Sequence, residues 1–299
     1  MKAATGILIL LLAVVVAGCS SSSKPDDLKL TVTTLLSNLE FPKGLWLDAG
    51  KVYFTETAGR STTYGGKVQL SVYDVGTAQT TVIKHDPVNS DAVVVSQDSD
   101  IYLCSYHGSL PGDYGEVSVI SPPDTNETAV TDVTIAAEDM FMTSEDDILL
   151  IGPSDTPDAT SLLRLPRGDF QHYEVVANDL LRAWCVTVAN DFVFFSDQYS
   201  IQRIIPPPQG GSSTFEVFVN FGVNSLSSSS KYLFFGDYDT GTVGSFNLST
   251  KVQRVYVSGL HEPQTVRWDQ SSSKLYFVEA GTDANHYKDG TLKVIEGIK

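Results

Sequence analysis

Six residues stand at equivalent places along the chain: Lys43, Asp91, Glu138, Trp184, Asn224 and Gln264, spaced 40 to 48 residues apart. Each opens an apolar segment, and five of the six are polar. A packed core does not take an unpartnered polar group at the head of every core segment, whereas a hydrated opening does. Drawn into one ring, they would present an ammonium, two carboxylates, two amides and an indole, a set suited to a polar ligand. A second group is aromatic and imidazole: Tyr64, Tyr106, His107, Tyr114, His261, His286 and Tyr287, with His85 nearby in type. Aromatic rims suit sugars, peptides or protein partners, and His beside carboxylates can take a transition metal. The sequence has no His-x-x-x-His spacing, no Gly-x-Ser-x-Gly elbow and no Cys-x-x-Cys pair. Gly65-Gly66 and Gly210-Gly211 read as turns, since neither is followed by a helix carrying Lys-Ser/Thr.

A repeat must position these residues. FPKGLWLDAGKVYFTE, residues 41–56, is an apolar strand, a polar turn and a second strand ending in an acid. Related stretches include DAVVVSQDSDIYLCS, EDMFMTSEDDILLIG, WCVTVANDFVFFSD, NSLSSSSKYLFFGD and QTVRWDQSSSKLYFVE. No helical periodicity appears after the N-terminal segment. Propeller blades of four strands repeat at about 40 to 50 residues, so the six copies predict an all-β, six-bladed β-propeller. The last copy ends at TLKVIEGIK without a fourth strand, and LKLTVTTLL (residues 28–36) precedes the first. The N-terminal strand is therefore expected to complete the last blade and remove an exposed edge. Third strands are expected near Gly65, Gly115, Ser161, Ser200, Gly241 and Gly290.

In such a ring the inner strands begin at one mouth of the central channel, and the outer-to-inner and second-to-third connections share that face. The six aligned residues then form the channel mouth. His85, His107, His261 and His286 fall on that face and His172 on the other. The second-to-third loops are long in blades one, two, three and six and short in four and five, which places the Tyr and His rim on one side. Pro206-Pro207-Pro208 reads as a stiff turn on the far face, and Ser227–Ser230 and Ser271–Ser273 as polar turn fillers.

The 299 residues carry a formal charge of −16, with an isoelectric point near 4.5. Nucleic-acid binding needs clustered Lys and Arg, so that class is excluded, and adsorption to anionic headgroups is disfavoured. The acids are scattered, which describes a soluble acidic surface. Cys104 and Cys185 belong to blades two and four. These are not neighbours, so two buried free thiols are expected.

The N-terminus, MKAATGILILLLAVVVAGCSSSS, has a short basic start, an apolar run too short to span a bilayer, and Val16-Ala17-Gly18 before Cys19. It resembles the bacterial lipoprotein signal. The resemblance implies cleavage before Cys19 and acylation there, palmitate included. Multiple acyl chains anchor stably to a membrane. Ser20 after the cysteine implies the outer membrane in a Gram-negative cell. The division is a signal peptide over 1–18, a lipidated polar tether over 19–27, and the propeller over 28–299.

The second strands end in Phe54-Thr55-Glu56, Phe195-Ser196-Asp197, Phe235-Gly236-Asp237 and Phe277-Val278-Glu279. They resemble the Tyr-Trp-Thr-Asp, NHL-type and gluconolactonase-like propeller repeats. Recurring acids of this kind are expected to hold turns by accepting backbone N–H bonds. The gluconolactonase-like resemblance implies a divalent cation, Ca²⁺ or Zn²⁺, held by acid and amide side chains at the channel mouth, with Asp91, Glu138 and Asn224 as the candidate ligands. The first blade carries Lys43 where that resemblance implies Glu, and an ammonium repels a cation. An ion pair of Lys43 with Asp91 is the alternative.

The expected function is a monomeric, lipid-anchored cell-envelope propeller that binds a protein, glycan or small ligand at the channel-mouth face, with no catalytic residue assigned. The alternative is a divalent-metal-dependent lactonase or esterase of gluconolactonase type. A scaffold contacted on its blade sides is a third reading. Fold alone does not choose among them.

Overall fold

A computed structural model describes residues 30–57, 68–87, 91–105, 115–133, 135, 137–153, 159–205 and 214–299. Cys19, with the signal peptide and tether, lies outside the described residues, as do Tyr64, Gly65, Tyr106, His107, Tyr114 and Pro206–Pro208.

The two strands of each blade nearest the axis are mostly buried because both their faces are covered. The inner strand Ala92–Val95 is buried at all four positions, and the second strand Ile148–Pro153 at all but its last. Outer strands such as Gln79–His85 are mostly exposed. This gradient belongs to antiparallel sheets standing radially around an axis, each packed between two others. The described strands form six four-stranded sheets. Blade one runs Pro42–Asp48, Lys51–Glu56, Gln69–Asp74, Gln79–His85 from axis to rim, and the next four blades follow in chain order. Neighbouring inner strands touch all the way round, including that of blade six with that of blade one. Phenylalanines of the second strands, Phe54, Phe195, Phe234, Phe235 and Phe277, are fully buried between blades. The single helical element among the described residues is a 3₁₀ turn at Asp283–Asn285.

The sixth blade is closed from the front of the chain, as expected. Thr31–Leu39 pairs antiparallel with Gly290–Glu296, the third strand of blade six. The strand sits three residues later than the sequence pattern placed it, because pairing with Gly290–Glu296 sets its limits. Gly290 is required at this seam: a Cβ there would come within 2.6 Å of Pro42 Cδ and 2.8 Å of the Leu39 carbonyl oxygen. Among the described residues the third strand of blade one is Gln69–Asp74.

Inner edges face a narrow channel, so their backbone groups need protein partners. Hydroxyls of one blade supply them to the next. Ser225 and Ser227 Oγ accept the Val266 and Trp268 N–H groups at 2.9 and 2.8 Å. Ser227 and Ser228 therefore belong to an inner strand, Ser225–Ser228, not to a turn, and Ser227 is buried. The turn is Ser229-Ser230, and the expectation for residues 227–228 is corrected.

A charged pair crosses the axis. Arg267 of blade six donates through Nη2 to Asp139 Oδ1 of blade three at 2.8 Å and to the Met140 carbonyl at 3.1 Å. Its Nη1 reaches the Leu226 carbonyl of blade five at 3.1 Å. Its guanidinium lies 5.6 Å from the Trp46 ring centroid of blade one. The other Asp139 oxygen accepts the Val186 N–H of blade four at 3.2 Å. Both side chains are about nine-tenths buried, at 5 % and 11 % exposure. Burial pushes the Asp139 carboxyl up, against the pull of Arg267 and the Val186 amide. Cys104 and Cys185 are buried free thiols, their pKa values raised by burial.

Two outcomes follow from this architecture. A chain beginning at Glu40 should leave Gly290–Glu296 as an open edge, lower the melting temperature and elute as aggregate in gel filtration. Arg267→Met should cost about 3–5 kcal/mol in urea unfolding, because it strands the Asp139 carboxylate; Arg267→Met with Asp139→Leu should recover most of that loss.

Candidate functional site: the channel mouth

The register of each blade delivers one residue to the channel mouth. The residue before the inner strand donates its N–H to a carbonyl near the end of the second strand. Asp91 donates to Cys104 at 2.9 Å, Glu138 to Ile151 at 2.8 Å, Trp184 to Ser196 at 2.9 Å and Asn224 to Gly236 at 3.1 Å. The four bonds are equivalent, so the four side chains start from equivalent points. With Lys43 and Gln264, they line one cavity of about 760 Å³. All six residues of the aligned ring are brought together.

The ring divides in two. Blades one to three supply charge: Lys43 Nζ lies 3.0 Å from Asp91 Oδ1 and 3.4 Å from Glu138 Oε2. These side chains are 23 %, 17 % and 22 % exposed. Burial alone would lower the Lys43 pKa, but the Glu138 and Asp91 carboxylates outweigh it, and the ammonium is held above its ordinary value. Blades four to six supply neutral groups. Trp184 forms an indole wall. The Asn224 side-chain oxygen accepts the Tyr238 N–H at 3.0 Å, which leaves its NH₂ as the donor end. Gln264 Nε2 is buried and has no hydrogen-bond partner among the described residues.

The sequence missed part of the lining. Asp139 contributes to the floor, where Arg267 holds it. Arg182, Gln198, Tyr238 and Asp239 come from connections of blades three to five. The available signal was Arg267 itself, the one cation inside the inner strand Pro263–Asp269; the connection residues carry no such signal. The remaining described rim residues stand apart from the cavity lining. His261 and His286 are exposed, and the His261 N–H is held by Glu279 Oε1 at 3.0 Å. Tyr287 packs edge-on against Phe41, with ring centroids 5.1 Å apart, and its hydroxyl donates to Glu262 Oε1 at 3.2 Å. It anchors the blade-six loop. His85 is exposed at the end of an outer strand, and His172 contacts Asp169 at 2.8 Å.

The recurring acids hold backbone, as expected. Asp197 Oδ1 accepts the Tyr199 and Ser200 N–H groups, both at 2.7 Å. Asp237 Oδ1 accepts those of Asp239 and Thr240. Glu56 Oε1 accepts the Glu40 N–H at 2.7 Å.

The cation expected at Asp91, Glu138 and Asn224 does not fit this arrangement. The two carboxylates already share an ammonium, and the Asn224 oxygen is engaged by a backbone N–H. Among the described residues, no group of three or more His, Cys, Asp or Glu side chains is placed to hold a metal.

No protein-family model matches the sequence, and no curated protein does. Solved structures match its shape. A gluconolactonase from Xanthomonas campestris superposes with a TM-score of 0.66 at 13 % identity, over 89 % of each chain. Regucalcin from Agrobacterium tumefaciens, a calcium-binding protein, gives 0.67 at 13 % identity, over 87 % of this chain and 92 % of that one. The PQQ-bound aldose sugar dehydrogenase from Streptomyces coelicolor gives 0.64 at 13 % identity, over 90 % and 99 %. At these identities the likeness concerns the fold: the chain is a six-bladed β-propeller with structural neighbours of gluconolactonase, regucalcin and sugar dehydrogenase type.

Proposed function

We propose that the channel-mouth cavity binds a small polyhydroxylated ligand, a sugar, sugar acid or sugar lactone, in a monomer anchored to the bacterial cell envelope through acylated Cys19. The observation that carries this reading is the divided ring. A cavity of about 760 Å³ lies within the usual range of small-molecule sites, roughly 300–1,000 Å³. Asp91 and Glu138 can accept from ligand hydroxyls. Lys43 and the Asn224 amide can donate to them. The Trp184 indole suits the C–H face of a sugar ring. The structural likeness to a gluconolactonase and to an aldose sugar dehydrogenase supports the same ligand class. Exposed His261 and His286 offer contacts to an envelope protein or glycan on the blade-six side.

A second reading, hydrolysis of a lactone, is favoured by the gluconolactonase and calcium-binding regucalcin neighbours. In this ring it requires a divalent cation to displace the Lys43 ammonium from Asp91 and Glu138.

Titration calorimetry with aldoses, aldonic acids and their lactones tests the binding reading. One class should bind, and Trp184→Ala should weaken it by roughly tenfold while the protein stays folded. Absence of binding by every class to folded protein rejects the reading. Lactone turnover that appears only with added Ca²⁺ or Zn²⁺ selects the second. The anchor is tested separately: labelled palmitate should enter the wild-type chain in bacterial cells and be absent from Cys19→Ala, which should leave the membrane fraction.

A further inference from the structure

The backbone at Lys43 is pinned on both sides. Thr265 Oγ1 of blade six donates to the Lys43 carbonyl at 2.6 Å. The next N–H, of Gly44, donates to Thr55 Oγ1 at 2.9 Å. Gly44 also lies against blade two, so closely that a Cβ would stand 3.1 Å from both Ala92 Cα and Val93 N. This pinning gives the flexible lysine stem a fixed root. From it the side chain crosses the seam between blades one and two and places its ammonium against Asp91 and Glu138, on two consecutive blades. Arg267, below the ring, is already committed to Asp139. Two partly buried carboxylates sharing one cavity wall repel each other unless a cation stands between them.

We infer that Lys43 is a tethered cation that takes the place of a mobile divalent ion in this ring and makes the wild-type chain indifferent to such ions. Its ammonium bridges the two carboxylates without the chain depending on ion supply. Removing it leaves Asp91 and Glu138 as oxygen donors facing one space, the ligand chemistry of Ca²⁺. The inference rests on the geometry around Lys43 and not on the identity of the ligand.

The test compares the full chain with Lys43→Met and Lys43→Arg, in chelator and in millimolar Ca²⁺. Thermal melts and Tb³⁺ luminescence sensitised by tryptophan are the readouts. The wild type and Lys43→Arg should show the same melting temperature in both conditions. Lys43→Met should melt lower in chelator, regain stability with Ca²⁺, and bind Tb³⁺ at least about tenfold more tightly than the wild type, with a Ca²⁺ dissociation constant on the order of 10⁻³ M. Asp91→Asn added to Lys43→Met should remove that gain. Should Lys43→Met fail to fold in chelator, recovery of its folded signal on adding Ca²⁺ supports the inference and failure to recover overturns it. A stoichiometric divalent ion on the wild type, lost in Asp91→Asn, overturns it as well. So does a Lys43→Met protein that responds to Ca²⁺ no more than the wild type.

Discussion

The structure depends on how a ring of inner strands satisfies its own axis. Each inner strand has one edge paired within its blade and one edge turned to the channel. Unpaired backbone groups in a confined space are costly. Arg267 and Asp139 answer for several of them at once. The guanidinium takes carbonyls of blades three and five, and the carboxylate takes an amide of blade four. Because the two side chains also neutralise each other, neither is buried as a lone charge. A buried ion pair is weak evidence for net stability, but it discriminates strongly among arrangements. Here it ties blades three, four, five and six to one point and sets the indole of blade one beside them.

Asp139 of that pair also lines the cavity, beside the aligned ring. Within the ring the charged half and the neutral half differ in what they offer. In the charged half one ammonium, Lys43, is shared by two carboxylates, which leaves one negative charge over. The neutral half lines the cavity with Trp184, Asn224 and Gln264.

Much of this was legible from residues in order. The polar heads of five of the six inner strands marked the channel mouth because most of the positions that follow them are buried, so a polar residue there needs a hydrated opening or a partner. The closing role of the N-terminal strand was legible because the last repeat lacked an outer strand and an unpaired edge is not tolerated. The turn-holding acids were legible because their position recurs. Other features were not. Ser227 looks like the first residue of a serine turn, and only the neighbouring Trp268 N–H makes it an inner-strand residue. Tyr287 looks like a rim aromatic, and only Phe41 and Glu262 draw it inward. Asn224 looks like an oxygen donor to the cavity, and only Tyr238 engages that oxygen.

The division follows the range of the interactions. The sequence alone determined the all-β class, the number of blades, the order of strands and the six aligned residues of the channel mouth, because burial in each blade is written locally, in alternation and in a repeat of a few tens of residues. The tertiary structure decided which of those residues meet. Arg267 and Asp139 are 128 positions apart, and Lys43 and Glu138 are 95 apart. No local pattern encodes such pairs. They exist only because ring closure brings opposite and successive blades to within one side chain's length of the axis, where each charge then takes the partner that burial obliges it to find.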